Sequence, residues 1–435
     1  MRRWLVGLLV VGALAAALVW MGGGALALDR ARELVAGVRP PIKLGLIHSQ
    51  SGELAISEAS LIDAEVLAIE EINARGGVAG RLLKWEVADG RSDPATFASQ
   101  AARLIDGEKV DVLVGGWTAE CRKAMLAVVE QREGLLIFPA NYEGIERSPN
   151  AIYSGGAANQ VVLPAVRWCF DDLKARRFFV VGSEEIWSRV VCELAKDGVK
   201  AAGGTLAGEA YQPLVGGDAA TLVESIRVAK PDVVLNLMVG DGNIAFFGAL
   251  RKAGLTPETL PVVAFNVAED ELKRFQNGDF TGHYAAWSYF QSIARPESVA
   301  FVRRFKARYG EARVVSDSMV AAYDGVMIWS HAADEAGTGD PKAVIMRFDR
   351  QSFDGPEGIV TIDPDSRTAW RPFYLGRGRP DGQFEVVWSL TKPILPVTFV
   401  GTRSPDRWRA LVEDFKAQWG GRWSASPTAR AFQAR

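Results

Sequence analysis

The segment "LVGGWTAECRKAM" (113–125) sets a thiol, Cys121, between the carboxylate of Glu120 and the cations Arg122 and Lys123, just after two glycines that end an apolar run. A cysteine at a helix start beside cations is where a thiolate is stabilised, and a stabilised thiolate is a nucleophile. The same stretch supports a second chemistry. An indole, a hydroxyl and free backbone N–H groups (Trp117, Thr118) can hold a small ligand by hydrogen bonds without reacting with it. Nucleophilic catalysis needs a base within reach of the thiol, and none of His48, His283 and His331 lies near Cys121 in sequence. There is no G-x-S-x-G, P-loop or G-x-G-x-x-G string, and "GDGNIAFFG" (240–248) has glycines without the required spacing. The expectation is a binding cradle: no catalytic residue, Cys121 in a packing role, no cofactor, and no metal, because three scattered histidines give a metal cluster little to build on.

The elements that must position such a cradle are set by the alternation of patterns. "IKLGLIH" (42–48), "LKWEVAD" (83–89), "VDVLVGG" (110–116) and "GLLIFPA" (134–140) read as strands, separated by helical stretches at 57–77, about 95–106 and 119–132. In the first helix Ser57 is the expected cap, Ala59, Ile62, Val66, Ile69 and Ile72 the apolar stripe, and Gly76-Gly77 the stop. A second round comes after it. Helices near 160–173, 187–202, 219–228 and 243–253 alternate with strands "RRFFVVGS", "LAGEAYQ", "DVVLNLMV" and "PVVAFN". Strands alternating with helices mean βαβ units, so the fold class is α/β with two doubly wound Rossmann-like lobes.

Residues 42–159 and 282–340 are assigned to lobe 1, and 160–281 and 341–400 to lobe 2. The first crossing is "SPNAIYSGGAANQVV" (148–162). "GHYAAWSYF" (282–290) and the helical "SMVAAYDGVMIWSHAADEAG" (318–337) return to lobe 1, and the hairpin-rich "FDGPEGIVTIDPDSRTAW" (353–370) completes lobe 2. Residues 401–435 form an amphipathic tail whose Trp408, Leu411, Val412, Phe415 and Trp419 recur at helical spacing and are expected to pack on its own domain.

Arg2-Arg3 precedes an almost uncharged run from Trp4 to Leu28 with small residues at Ala25 and Ala27. Residues 1–27 therefore read as a signal peptide cut after Ala27, or as an uncleaved anchor of about 20 residues in the inner membrane; both place the rest in the periplasm. Residues 28–41 are a spacer. A formal charge of −2 gives nucleic acid nothing to bind. Cys121, Cys169 and Cys192 are odd in number and widely spaced, which argues against a disulfide framework and leaves a single pair open. The oligomeric state is open too.

Ligands of open α/β sheets sit outside the carboxyl ends of the strands. The loops there, "HSQSGELAIS", "GGWTAEC", "PANYEG", "GSEEIWSR", "MVGDGN" and "HYAAWSY", are rich in hydroxyls, amides, carboxylates and aromatics, and should converge on one cleft between the lobes. They nominate Ser49, Ser51, Trp117, Thr118, Ala119, Ala140, Tyr142, Glu185, Trp187, Asp241, Trp287 and Tyr289 as cleft residues.

Several of these strings, with "INARGGVAG", "FPANYEGIERSPN", "GHYAAWSYFQS", "FDGPEGIVTIDP" and "DGQFEVVW", resemble the urea- and short-amide-binding branch of the periplasmic solute receptors of ABC importers, relatives of branched-chain amino acid receptors. The resemblance runs from about 42 to 400. It implies a type I periplasmic binding fold of two lobes joined by three crossings, a small polar ligand and a membrane permease as partners, and no enzymatic activity. Trp117 and Thr118 match the branch's first cradle, Tyr142 the tyrosine of its "YEG" string, and Trp287 and Tyr289 its aromatic wall. Ala119 stands where the branch resembled has serine, Phe138 where it has tyrosine, and Glu185 where its "GSDY" string has tyrosine, with Trp187 and Ser188 altering the positions after it. A urea or short amide is the implied ligand; the changed groups admit an amino acid or guanidine-like solute, with Glu185 facing it or pairing with Arg189. A membrane-anchored ligand sensor is the alternative role.

Overall fold

The computed structural model describes residues 39–425 except Val215 and Arg350. The segment read as a signal or anchor (1–27), most of the 28–41 spacer and the end of the tail lie outside the described residues. Among those described, no helix is long and apolar enough to cross a membrane.

In lobe 1 the elements run β1 (Ile42–His48), α1 (Ala55–Glu58), α2 (Leu61–Ala74), β2 (Leu83–Asp89), α3 (Pro94–Ala102), β3 (Val112–Gly115), α4 (Ala119–Gln131), β4 (Leu136–Phe138) and β5 (Ala151–Tyr153). The strands form one parallel sheet in the order β2-β1-β3-β4-β5. Both faces are covered, so β1, β3 and β4 read as almost continuous apolar runs rather than alternating ones. The order reverses between β1 and β3, and the chain leaves β3 there through Gly115 (φ 144°). A Cβ at Gly115 would lie 1.9 Å from the Ile47 carbonyl oxygen, so only glycine lets the next loop pass over β1.

Lobe 2 repeats this topology. α5 (Ala158–Asp171), β6 (Arg177–Ser183), α6 (Ile186–Ala202), β7 (Thr205–Gln212), α7 (Ala219–Ala229), β8 (Val233–Leu237), α8 (Gly242–Lys252), β9 (Val262–Ala264), α9 (Glu269–Leu272) and β10 (Tyr284–Trp287) build a parallel sheet in the order β7-β6-β8-β9-β10. Its reversal lies between β6 and β8. The chain then returns as α10 (Pro296–Tyr309), α11 (Asp317–Ala336), α12 (Pro341–Ile345), β11 (Ser352–Gly355) and β12 (Gly358–Ile362). It ends as β13 (Ala369–Gly378), antiparallel to β10, β14 (Phe384–Ile394) and α13 (Pro405–Gln418).

Four expectations are corrected. The return to lobe 1 begins after Trp287, not at 282, because β10 is hydrogen-bonded between β9 and β13 inside the second sheet. Residues 341–362 cover the core of lobe 1 rather than that of lobe 2, Val344, Phe348, Val360 and Ile362 burying with Leu44, Ile69 and Trp329, although β12 also pairs with β13 at the edge of the second sheet. The helix expected over 57–77 breaks at Ala59-Ser60 into α1 and α2, and Ser57 caps neither; its hydroxyl donates to Glu271 in lobe 2 (2.6 Å). The expected first crossing contains a strand, β5, paired in parallel with β4. The tail behaves as its stripe implies, with Trp408, Val412, Phe415 and Trp419 buried against α6 residues such as Val190 and Leu194.

The crossings are cross-linked by one buried cation. Arg371, at the start of β13, donates to both carboxylate oxygens of Asp317 (3.0 and 3.0 Å) and to Glu357 (2.8–3.0 Å). Asp317 also accepts the backbone N–H of Ser288, just past β10 (2.9 Å). One guanidinium thus joins the second crossing, the third crossing and the β11–β12 turn. Asp324 lies fully buried beside Glu357, and burial followed by that neighbour raises its carboxyl well above the usual carboxylate range.

Candidate functional site

Both reversal points open toward the same cleft, where loops from the two lobes enclose a small pocket. Lobe 1 contributes Trp117 and Thr118 after β3 and Ala140 and Asn141 after β4. Lobe 2 contributes Glu185 and Trp187 after β6, Val239 after β8, Asn266 after β9 and Trp287 at the end of β10. Each of these residues lies at or beyond the carboxyl end of its strand. The free space among them is about 20 Å³, room for a water molecule or two. The lobes touch beside it, Ser57 on Glu271 (2.6 Å) and Ser60 on Asp270 (3.1 Å), so the cleft is closed.

The pocket's polar groups are unevenly satisfied. Thr118 caps α4, its hydroxyl accepting from the Cys121 N–H (3.2 Å). Trp287 donates its indole N–H to the Val267 carbonyl (2.8 Å). Asn141 accepts the Gly156 N–H on Oδ1 (2.8 Å), which fixes the amide so that Nδ2 is the free end. That Nδ2, the Trp187 Nε1 and the Asn266 Nδ2 are buried with no protein partner. A buried donor without an acceptor costs about 1–3 kcal/mol, so three around one small space mark a surface shaped for something that brings acceptors.

Glu185 is the N-cap of α6. Its carboxylate accepts from the backbone N–H groups of Ser188 (2.5 Å) and Trp187 (2.8 Å). Burial pushes its pKa up to about 8, even though those two N–H groups pull it down. The pairing with Arg189 that the spacing allowed is not made: Arg189 reaches Glu184 (3.3 Å) and stacks on Tyr211.

Of the twelve nominated residues, Trp117, Thr118, Ala140, Glu185, Trp187 and Trp287 line the pocket. The other six do not. Ser49 accepts from the Ser92 N–H (2.9 Å) and Ser51 donates to Asp89 (2.7 Å), both turned toward the β2–α3 loop. Ala119 is buried in the first turn of α4. Tyr142 stacks on Tyr153 (4.2 Å between ring centroids) and hydrogen-bonds Thr368 (2.8 Å). Asp241 pairs with Arg274 at 3.1 Å, and Tyr289 lies in the lobe 1 core, bonded to Ser298 (2.8 Å). Asn141, Val239 and Asn266 were missed. All three follow strand ends, so the rule that nominated the others also covered them.

Cys121 is buried, and burial, followed by the charge of Glu58, pushes its thiol well above the usual range, the opposite of an activated nucleophile. The two histidines nearest the cleft are engaged elsewhere. His48 binds Glu65 (2.7 Å) beside Glu58, and His283 accepts the Val262 N–H (3.3 Å). Cys169 and Cys192 are also free and buried, with Cys192 pushed up to about 12. A colorimetric thiol reagent is therefore expected to find almost no reactive thiol in the folded protein and three after denaturation. Cys121→Ser should leave binding within several-fold, whereas rapid modification of Cys121 in the native state would restore the nucleophile reading.

Comparison with known proteins agrees with this architecture. Residues 42–405 match the family model described as a periplasmic binding protein domain. Leu/Ile/Val-binding protein homolog 7 of Brucella melitensis is 23% identical over 338 residues, covering 72% of this chain and 82% of that protein. A solute-binding protein of an ABC transporter from R. palustris, solved in complex with 4-hydroxybenzoate, superposes with a TM-score of 0.74 at 22% identity, covering 82% of this chain and 98% of the other. A leucine-binding protein from Thermotoga maritima gives 0.72 at 19%, covering 80% and 98%. A stretch of 138 residues is 32% identical to a protein named limonene hydroxylase from Geobacillus stearothermophilus, of which the chain spans only 25%.

Proposed function

The chain belongs to the periplasmic binding protein family, and from that premise we propose that it is the solute receptor of an ABC importer, closing on a small planar solute that carries a carbonyl oxygen and N–H groups: urea or a short amide. The observation that carries this reading is the set of unpartnered donors. Trp187 can only donate, and Asn141 is locked with its amino end free, so the solute must bring an oxygen acceptor. A guanidinium, all donors, would face them with like groups. Glu185 and the rotatable amide of Asn266 can take up the solute's own N–H groups. The indoles of Trp117, Trp187 and Trp287 supply flat walls and fill the volume that a benzoate ring or a leucine side chain would need. The receptor's substrate is in this respect unlike those named for its structural neighbours, an aromatic acid and leucine.

Closing on such a solute exchanges the cost of three orphaned donors for hydrogen bonds, which is the differential affinity a closed state requires. The test is a thermal-shift and calorimetric panel of urea, formamide, acetamide, guanidine, leucine and 4-hydroxybenzoate. Urea or an amide should bind, and Trp187→Phe, which keeps a smaller aromatic face and deletes the N–H, should weaken it by about 1–3 kcal/mol. Binding of leucine or the benzoate in place of every amide would overturn the reading, as would an unchanged affinity in Trp187→Phe.

A further inference from the structure

We propose that Arg422–Ala425 form a strap that ties the two lobes together across the cleft and sets how readily it opens. After α13 docks on lobe 2, Gly420 (φ 66°) and Gly421 (φ 84°) turn the chain back toward the cleft. The segment then runs antiparallel to the loop that carries Glu185. The Trp423 carbonyl accepts the Ile186 N–H (3.0 Å), Ala425 donates its N–H to the Glu184 carbonyl (2.9 Å), and Ser424 bridges Glu185. These backbone bonds fasten the strap to lobe 2, directly behind a wall residue of the pocket.

Its other contacts reach lobe 1. The Ser424 hydroxyl donates to Glu120 (2.9 Å), in the first turn of α4 and two residues from Thr118 of the pocket. The Lys123 ammonium lies 4.9 Å from the Trp423 ring centroid, with Lys416 on the same ring at 4.4 Å. Opening the lobes would leave the backbone bonds to 184–186 intact and break the contacts to Glu120 and Lys123. The strap is therefore a contact of the closed form alone, and it shifts the open–closed balance without touching a solute.

The strap requires only that the lobes move relative to each other, and its test uses no ligand, so failure here and failure of the amide assignment are separable. Full-length wild type, Ser424→Ala and the double variant Trp423→Ala with Ser424→Ala are compared by small-angle scattering and by amide hydrogen exchange, with β8 and β9 amides as the check on folding. The double variant should show a larger radius of gyration and about five- to tenfold faster exchange over 118–124, with β8 and β9 unchanged. A chain stopped at Gly421 should behave like the double variant. Identical scattering and identical exchange over 118–124 in the double variant would overturn the strap and leave 422–425 as lobe 2 surface; if the shortened chain fails to fold, the point variants decide.

Discussion

Arg371→Met should cost about 3–5 kcal/mol of stability at neutral pH, the range seen when one partner is removed from a buried ion pair. The reason is what stays behind. Asp317, Asp324 and Glu357 are all buried around the guanidinium, and no second cation bonds to them among the described residues. Methionine matches the volume and fills the space, so the loss is electrostatic rather than a cavity. The same charges set the direction of its pH dependence. Glu357 is already pushed up to about 7, by burial first and against the pull of Arg371, and without that pull it moves higher. A carboxyl raised above its unfolded value takes up its proton on folding, so the variant should recover stability as pH falls and lose more as pH rises. Calorimetric thermal unfolding at pH 5 and pH 8 measures both; a loss under about 1 kcal/mol at pH 8 would mean that other contacts hold the crossings. Arg371→Lys should recover only part, because an ammonium cannot serve two carboxylates in the fork geometry.

The second large effect belongs to His48. Burial alone would lower its pKa, but Glu65 and then Glu58 outweigh it and raise it to about 9. The folded value lies above the ordinary 6.5, so the stabilisation is complete below about pH 6.5 and is lost as pH rises through about 9. The difference is on the order of 3 kcal/mol. Glu185 and Glu271, raised to about 8 and about 7, also lose stability as pH rises, so the wild-type slope mixes several groups. His48→Gln separates them, since it keeps a donor for Glu65 and cannot titrate. Its unfolding free energy should lie below wild type at pH 6 and converge on it by pH 9.5. Parallel curves across that range would show that the imidazole is neutral in the fold.

The lobes were legible because periodicity distinguishes helix from strand locally. "RRFFVVGS" and "DVVLNLMV" cannot be amphipathic surface helices, and the alternation they set up dictates parallel sheets. Which sheet a strand joins is a long-range matter. "YAAW" looks the same whether it pairs with β9 or with β5, and the hairpin at 352–362 looks the same whichever core it covers. That is where the expected domain boundaries moved. The site divides in the same way. Strand ends locate it, so half of the nominated residues line the pocket, but local pattern does not say which way a loop side chain turns. Tyr142 and Tyr289 each found a hydroxyl partner in buried packing, and Ser51 found Asp89. Asn266 closes the strand read at "PVVAFN", and the loop after that strand was not among those nominated. The role of Glu185 needed its cap geometry, because glutamate is an unusual N-cap.

The way lobe 1 is assembled bears on how the molecule comes into being. Its core joins α2 to α10 and α11: Glu71 accepts from Tyr323 (2.7 Å) across 252 residues, and Asp63 from Arg313 (2.7 Å) across 250. The parallel sheet of lobe 2, by contrast, is contiguous from β6 to β10. Closing so long a loop is entropically late, and a nascent chain emerges from its amino end. The lobe whose first strand is synthesised first must therefore wait with an uncovered apolar face until α10 and α11 arrive, and lobe 2, whose five parallel strands are made in the meantime, still awaits β13, β14 and α13. Neither lobe can close its core until the carboxyl-terminal part of the chain is made, and that interval is when this protein most needs a chaperone.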